Sequence, residues 1–139
     1  MIEREKLISV QLAKRISQAA LEKGFELVDG AYWWVLSLEG VWTVTEDPDL
    51  AIYKYREQYC AFDLHDLFEM MPHNSALFKG NPDGSFTNEE VRYSGGFQYL
   101  ENGEACKEPC CHYKVKPAEA LGEQLFHCLE GDLMNKNKV

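Results

Sequence analysis

Cysteine and histidine side chains, which bind soft metal ions and act as nucleophiles and bases, are concentrated near the end of this chain. Four of the five cysteines and two of the four histidines lie between Cys106 and Cys128. Thiolates and imidazoles are ligands that zinc prefers, and a structural zinc site holds four of them in tetrahedral geometry. The candidate metal ligands are close together in one loop: Cys106, Cys110, Cys111 and His112.

The spacing of these residues differs from that of common zinc sites. Ligands usually come as two pairs, each spaced by about two to four residues, whereas His127 and Cys128 are adjacent. Neighbours on a helix point roughly 100° apart, so these two side chains do not easily bind one ion. Cys128 also continues an apolar helical stripe, which indicates a small buried side chain. We therefore favour free thiols and no cofactor, with zinc binding by the loop as the alternative.

Thiol chemistry without a metal is a second possibility for the same loop. A disulfide between Cys106 and Cys110 would close a short loop and would be labile to reduction. Cys111 could act as a nucleophile with His127 as its base, because the fold rather than the spacing places such partners. No family signature surrounds Cys60, Cys110 or Cys111, so neither activity is favoured by the sequence.

Two carboxylate–histidine pairs occur four residues apart on predicted helices, His65 with Glu69 and Glu123 with His127. Such pairs can serve general acid–base catalysis. More often they are surface pairs that contribute a few tenths of a kcal/mol to the helix. We interpret both as surface pairs, and the sequence gives no other indication of an enzyme.

The composition is that of a globular protein with an acidic surface. Of 139 residues, 45% are hydrophobic and 27% charged, and the formal net charge is −9. This charge disfavours nucleic acids and anionic membranes, because both are bound through Lys and Arg. No stretch approaches the ~20 apolar residues of a membrane span, and the first residues lack the apolar core of a signal peptide. We expect a cytoplasmic protein with one domain, residues 1–134, and a frayed tail, residues 135–139.

Local signals divide the chain into helices and strands. Ser9 and Gly24 delimit an amphipathic helix, Asp63 caps a middle helix that ends before Pro72, and Pro117 opens the last helix. Segments rich in strand formers lie between them: 31–45, 76–79, 93–100 and 112–116. The order predicts an α+β fold. We expect an antiparallel sheet of about four to five strands, with the N-terminal, middle and C-terminal helices packed mainly on one face.

The segment 31–45 is predicted to be an aromatic hairpin with a two-residue turn at Glu39-Gly40. That turn would place Trp33, Trp42 and Val44 on one face and Trp34 on the other, so both faces would need cover. We expect residues 46–62 to be an irregular or edge segment packed over the hairpin. Where this cover is incomplete, the aromatic side chains would form an interface with another chain. The candidate interface residues are Trp33, Trp34, Trp42, Tyr53 and Tyr55.

The order of elements resembles that of small uncharacterised proteins carried by phages and other mobile elements. The resemblance rests on a Ser-capped first helix ending in Glu22-Lys23-Gly24-Phe25, the aromatic hairpin, the middle helix 62–72 and the closing helix 117–121. It covers most of the chain as a pattern and implies a mobile-element origin. It implies no catalytic residues, and the cysteine-rich loop is not part of it.

These observations favour a protein that acts through protein contacts. The expected partner is a second copy of this chain or another protein, bound through the aromatic face of the sheet. The alternative function is metal binding or thiol chemistry by the loop 106–112. A third hypothesis is an acidic inhibitor of a basic protein, which the net charge would suit.

Overall fold

The computed structural model describes residues 4–46, 55–71, 75–79, 93–97, 114 and 116–131. A 3-10 turn, Arg4–Lys6, precedes three helices and five strands. The helices are α1 Val10–Lys23, α2 Leu64–Met70 and α3 Pro117–Glu130. The strands are β1 Trp33–Ser37, β2 Trp42–Thr45, β3 Tyr55–Cys60, β4 Ser75–Lys79 and β5 Tyr93–Phe97. The α+β class is confirmed.

The strands of the described residues form two antiparallel sheets rather than one sheet of four to five strands. The first has the order β2-β1-β3, and the second pairs β4 with β5. The expected pairing of 93–100 with 112–116 is represented by a single bridge between Tyr93 and Lys114. Residues 98–113 lie outside the described part, and so does the predicted frayed tail.

Local capping explains where α1 begins and ends. The Ser9 hydroxyl accepts a hydrogen bond from the Leu12 N–H at 3.3 Å, which satisfies a free donor of the first turn. Gly24 follows the helix at φ 66°, a left-handed conformation that glycine adopts without steric cost. The predicted caps Ser9 and Gly24 are therefore confirmed.

The helices α1 and α3 pack closely side by side and supply most of the core. Their apolar stripes are buried, and the predicted inner residues of α3 all lie in the core: Ala118, Leu121, Leu125, Cys128 and Leu129. Gly122 is a point of close contact between α3 and the residues at the start of α1. A Cβ atom there would lie 2.7 Å from Leu12 Cδ2 and 3.0 Å from Ile8 Cγ2.

The middle helix α2 begins in a capping box. Asp63 accepts a hydrogen bond from the Asp66 N–H at 2.9 Å, and the Asp66 carboxylate accepts one from the Asp63 N–H at 3.3 Å. Leu67 and Met71 are buried as expected. The spacing of apolar residues predicts Phe68 on the core side of this helix, but 44% of its surface is exposed, so that prediction is wrong. Met70 takes the buried position instead.

The turn between β1 and β2 is one residue longer than predicted. The Ser37 N–H donates to the Val41 carbonyl at 2.9 Å, which leaves Leu38, Glu39 and Gly40 in the loop. Gly40 has φ 87°, as expected for the last residue of a three-residue hairpin loop. Leu36 therefore pairs with Trp42, and Trp34 with Val44. A slip of one residue moves the side chains of a strand to the other face of the sheet. The prediction therefore placed the side chains of β2 on the wrong faces.

Part of the segment 46–62, which was expected to cover the hairpin, is itself a strand of the sheet, while residues 47–54 lie outside the described part. β3 pairs with β1 along its length, with Tyr59 opposite Trp34 and Cys60 opposite Trp33. The residues 55–60 therefore extend the hairpin sideways instead of covering one of its faces. The β-forming residues of this segment had suggested an edge strand, and that part of the expectation is confirmed.

The second sheet pairs β4 and β5 in continuous register. Leu77 lies opposite Gly95, and Ala76 opposite Gly96. Two adjacent glycines in a strand predict either a bulge or a close approach of the backbone, and the pairing has no shift that would mark a bulge. α3 lies against β5.

Candidate functional site

The cysteine-rich loop falls outside the part of the chain that the structure describes. Cys106, Cys110, Cys111 and His112 are all in residues 98–113, so zinc binding and thiol chemistry there remain predictions. Within the described residues, no group of cysteine, histidine and carboxylate side chains is arranged to hold a metal ion. The His127 side chain is exposed and Cys128 is completely buried, as expected of neighbours on a helix.

The two cysteines that are described, Cys60 and Cys128, are free thiols in buried positions. Burial raises the pKa of the Cys60 thiol to about 11. A hydrogen bond from the Gly30 backbone lowers this pKa, whereas the nearby Asp29 and Asp66 carboxylates raise it further. A thiol needs a lowered pKa to act as a nucleophile near neutral pH. Cys60 is therefore an inert part of the core.

Burial also raises the pKa of the Asp66 carboxyl, and the Asp63 carboxylate close by adds to this effect. The hydrogen bond from the Asp63 N–H acts in the opposite direction. Both carboxyls belong to the capping box of α2, which gives them a structural role. We assign no catalysis to this pair.

One face of the three-stranded sheet carries Trp34, Trp42 and Tyr59. Trp34 is only 9% exposed, and its indole Nε1 donates to the Ile8 carbonyl at 2.9 Å. The Trp42 and Tyr59 rings lie nearby with centroids 6.0 Å apart, and both residues are half-buried. Of the predicted interface residues on this face, Trp34 is therefore an anchor of the core, and Trp42 retains accessible surface.

The opposite face is also partly covered. Val35 follows Trp34 in the strand and points the other way, yet it is completely buried. Trp33 is half-buried on this face and packs against the core. Tyr53 lies outside the described residues, and Tyr55 begins β3 opposite Ser37. The sequence thus correctly indicated that both faces of the hairpin need cover.

Two large apolar residues at the end of the hairpin are exposed. Leu38 is 66% exposed and Val41 54% exposed. We call these two residues the hairpin tip. The strand that leaves the tip, Trp42–Thr45, contains no charged residue, although the chain as a whole is strongly acidic. The predicted two-residue turn would pair Leu38 with Val41 within the sheet, so the sequence did not indicate the tip.

A cavity of about 680 Å³ opens between the 3-10 turn and the first turns of α2 and α3. It is lined by Glu5, Lys6, Asp63, Leu64, His65, Lys116, Pro117 and Ala118. The two carboxylates and the two lysines balance in charge, and the His65 imidazole pairs with Glu69 at 3.1 Å. This lining selects neither an anion nor a cation, so the cavity identifies no ligand class. Of this cavity, only the starts of the helices around it were predictable from the sequence.

The surface pairs on α3 differ from the predicted ones. Glu123 was expected to pair with His127, but it binds the Arg15 guanidinium of α1 at 2.8 and 3.4 Å. Arg15 also lies 4.2 Å from the centre of the Phe126 ring. These contacts join two helices, which is a structural role. The other predicted pair, His65 with Glu69, is an exposed surface pair as expected.

Comparison with known proteins gives no relative: no family model, no curated protein and no solved structure matches this chain. The resemblance to mobile-element proteins therefore stays a prediction. Among the described helices, none is long and apolar enough to cross a membrane.

Proposed function

We propose that this chain acts through protein–protein contacts and associates with a second copy of itself through its aromatic hairpin. The observation that carries this proposal is the hairpin tip, where Leu38 and Val41 each leave more than half of their surface exposed. Removing such surface from water is favourable by roughly 25 cal/mol per Å². Aromatic residues are enriched at interfaces, and Trp42 next to the tip still has accessible surface.

The remainder of the described chain supports a binding role more than a catalytic one. The two described cysteines are buried, and the Cys60 thiol has a raised pKa. The carboxylates of the α2 capping box are engaged with backbone N–H groups. Binding through the exposed apolar side chains of the hairpin tip is therefore the function that the described residues support best.

The proposal is tested by replacing Leu38 with Ser and measuring self-association by sedimentation equilibrium. We expect Leu38→Ser to weaken association about tenfold, because the substitution removes apolar surface from the interface. The matched control is Leu21→Ser, since Leu21 is 84% exposed on α1 and lies outside the proposed interface. Equal effects of the two substitutions, or a wild-type chain that stays monomeric, would contradict the proposal.

A further inference from the structure

The outer edge of β2 has backbone groups that point away from the sheet. Residue pairs in an antiparallel ladder alternate between hydrogen-bonded and non-hydrogen-bonded types. The Ser37 N–H binds the Val41 carbonyl at 2.9 Å, so the pair Val35–Thr43 is hydrogen-bonded and its neighbours are not. Leu36–Trp42 and Trp34–Val44 are those neighbours. The N–H and C=O groups of Trp42 and Val44 therefore face outward.

Among the described residues, this edge shows none of the features that usually prevent strands of different chains from pairing. Such features are charged residues, prolines, bulges and covering segments. β2 has the sequence Trp-Thr-Val-Thr, and in the described part of the chain β1 is its only neighbour. The opposite edge strand, β3, carries Arg56 and Glu57 and has a register shift against β1. Only one of the two edges is thus suited to accept another strand.

We infer that two copies of this chain pair through β2, antiparallel and about a two-fold axis that passes beside Thr43. The inference rests on the proposed self-association and specifies its geometry. Only one antiparallel register brings both outward-facing residues of β2 opposite the outward-facing residues of the partner's β2. In it Trp42 lies opposite the partner's Val44, and Val44 opposite the partner's Trp42. Thr43 then lies opposite the partner's Thr43, and the two three-stranded sheets become one continuous sheet.

A second copy fits this edge because the strand is complementary to itself in that register. On one face Trp42 meets the partner's Val44, an aromatic residue against a β-branched one, and on the other face two threonines meet. At the end of the pairing, Val41 of the tip lies opposite the partner's Thr45. The uncharged strand offers nothing that would select a basic partner. A strand this short forms a small interface, so the dimer should depend on protein concentration.

Replacing Val44 with Pro tests the edge directly. Proline has no N–H, and it is tolerated in edge strands where that group faces solvent. The Val44 N–H points away from β1, so the hairpin should stay folded while the partner loses a hydrogen-bond donor. We expect dimerisation to weaken by about tenfold or more in sedimentation equilibrium, with thermal unfolding of the monomer little changed. A variant with wild-type affinity would overturn the inference.

A cysteine substitution tests the register without relying on proline. Facing residues of a non-hydrogen-bonded pair have Cα atoms roughly 4.5 Å apart, within the range that a disulfide spans. Under mild oxidation we expect Thr43→Cys to form a reducible covalent dimer beyond the level of the wild type. Thr45→Cys is the matched control, because Thr45 would face the partner's Val41 and not its own copy.

The outcomes separate this inference from the proposed function. Crosslinking of Thr43→Cys alone, with weakening by Val44→Pro, supports the β2 pairing. Equal crosslinking of both cysteine variants overturns the register. If Leu38→Ser weakens association and Val44→Pro does not, the hairpin tip is an interface but β2 is not paired. A wild-type chain that never dimerises overturns both.

Discussion

At the residue scale, Glu119 illustrates how one carboxylate connects two helices that are far apart in the sequence. It lies in the first turn of α3 and accepts hydrogen bonds from the Ser9 N–H at 2.6 Å and from the Ser9 hydroxyl at 3.0 Å. The Ser9 hydroxyl simultaneously caps α1. The negative charge therefore lies near the positive ends of two helix dipoles, where it stabilises both.

We expect Glu119→Ala to lower the free energy of unfolding by about 1–3 kcal/mol, because hydrogen bonds to a charged group are lost and the donors on Ser9 are left without this partner. Urea denaturation measures the change. Glu123→Ala is the control, since its partner Arg15 is 45% exposed and such pairs contribute at most about 1 kcal/mol. A Glu119→Ala effect no larger than that of Glu123→Ala would show that the connection has little energetic importance.

At the scale of elements, Gly122 determines how closely α1 and α3 approach. Glycine in a helix interior is normally less favourable than alanine by up to about 1 kcal/mol, so Gly→Ala often stabilises. Here the added methyl group would come 2.7 Å from Leu12 and 3.0 Å from Ile8, both of them buried. Overpacking of this kind costs about 1–3 kcal/mol, which outweighs the gain in helix propensity.

Gly122→Ala should therefore lower the melting temperature, and Gly122→Val should lower it further. Differential scanning calorimetry gives both values. Gly24→Ala is a control without steric overlap, because a Cβ at Gly24 would meet no atom within 4 Å. Gly24 has φ 66°, so the loss of stability in this variant would come from backbone strain alone. A stabilised Gly122→Ala variant would show that α1 and α3 can move apart at little cost.

The helices and their ends could be predicted from the sequence because their signals are local. Ser9, Gly24, Asp63 and Pro117 act within one helical turn, and the structure confirms each of them. The apolar stripe of α3 was equally predictable, since periodicity alone places its residues on one face.

The parts that could not be predicted depend on contacts between distant residues. The hairpin loop has three residues instead of two because Ser37 pairs with Val41, and glycine at position 40 suits either length. Phe68 is exposed and Glu119 is bound to Ser9 because of where other elements pack, which no local pattern indicates. For the same reason the predicted and the proposed interfaces differ. The sequence indicated an aromatic face of the sheet, whereas the proposed interface is the tip and outer edge of the hairpin.

At the scale of the whole molecule, the net charge of −9 must be reconciled with self-association. Two copies repel each other over the Debye length, about 10 Å at 0.1 M salt. In the proposed register Glu46 of one copy lies close to Glu39 of the other, and both residues are exposed. Added salt should therefore strengthen a dimer held by backbone hydrogen bonds and apolar contacts, whereas it would weaken binding to a basic partner.

The proposed dimer is tested most directly by the mass of the wild-type chain in solution. We would measure it by sedimentation equilibrium across a range of concentrations, at low and high salt, under reducing conditions with a chelator present. We expect a reversible dimer whose association strengthens with salt and does not require a metal. A monomer at every concentration, or an assembly that the chelator dissolves, would contradict it.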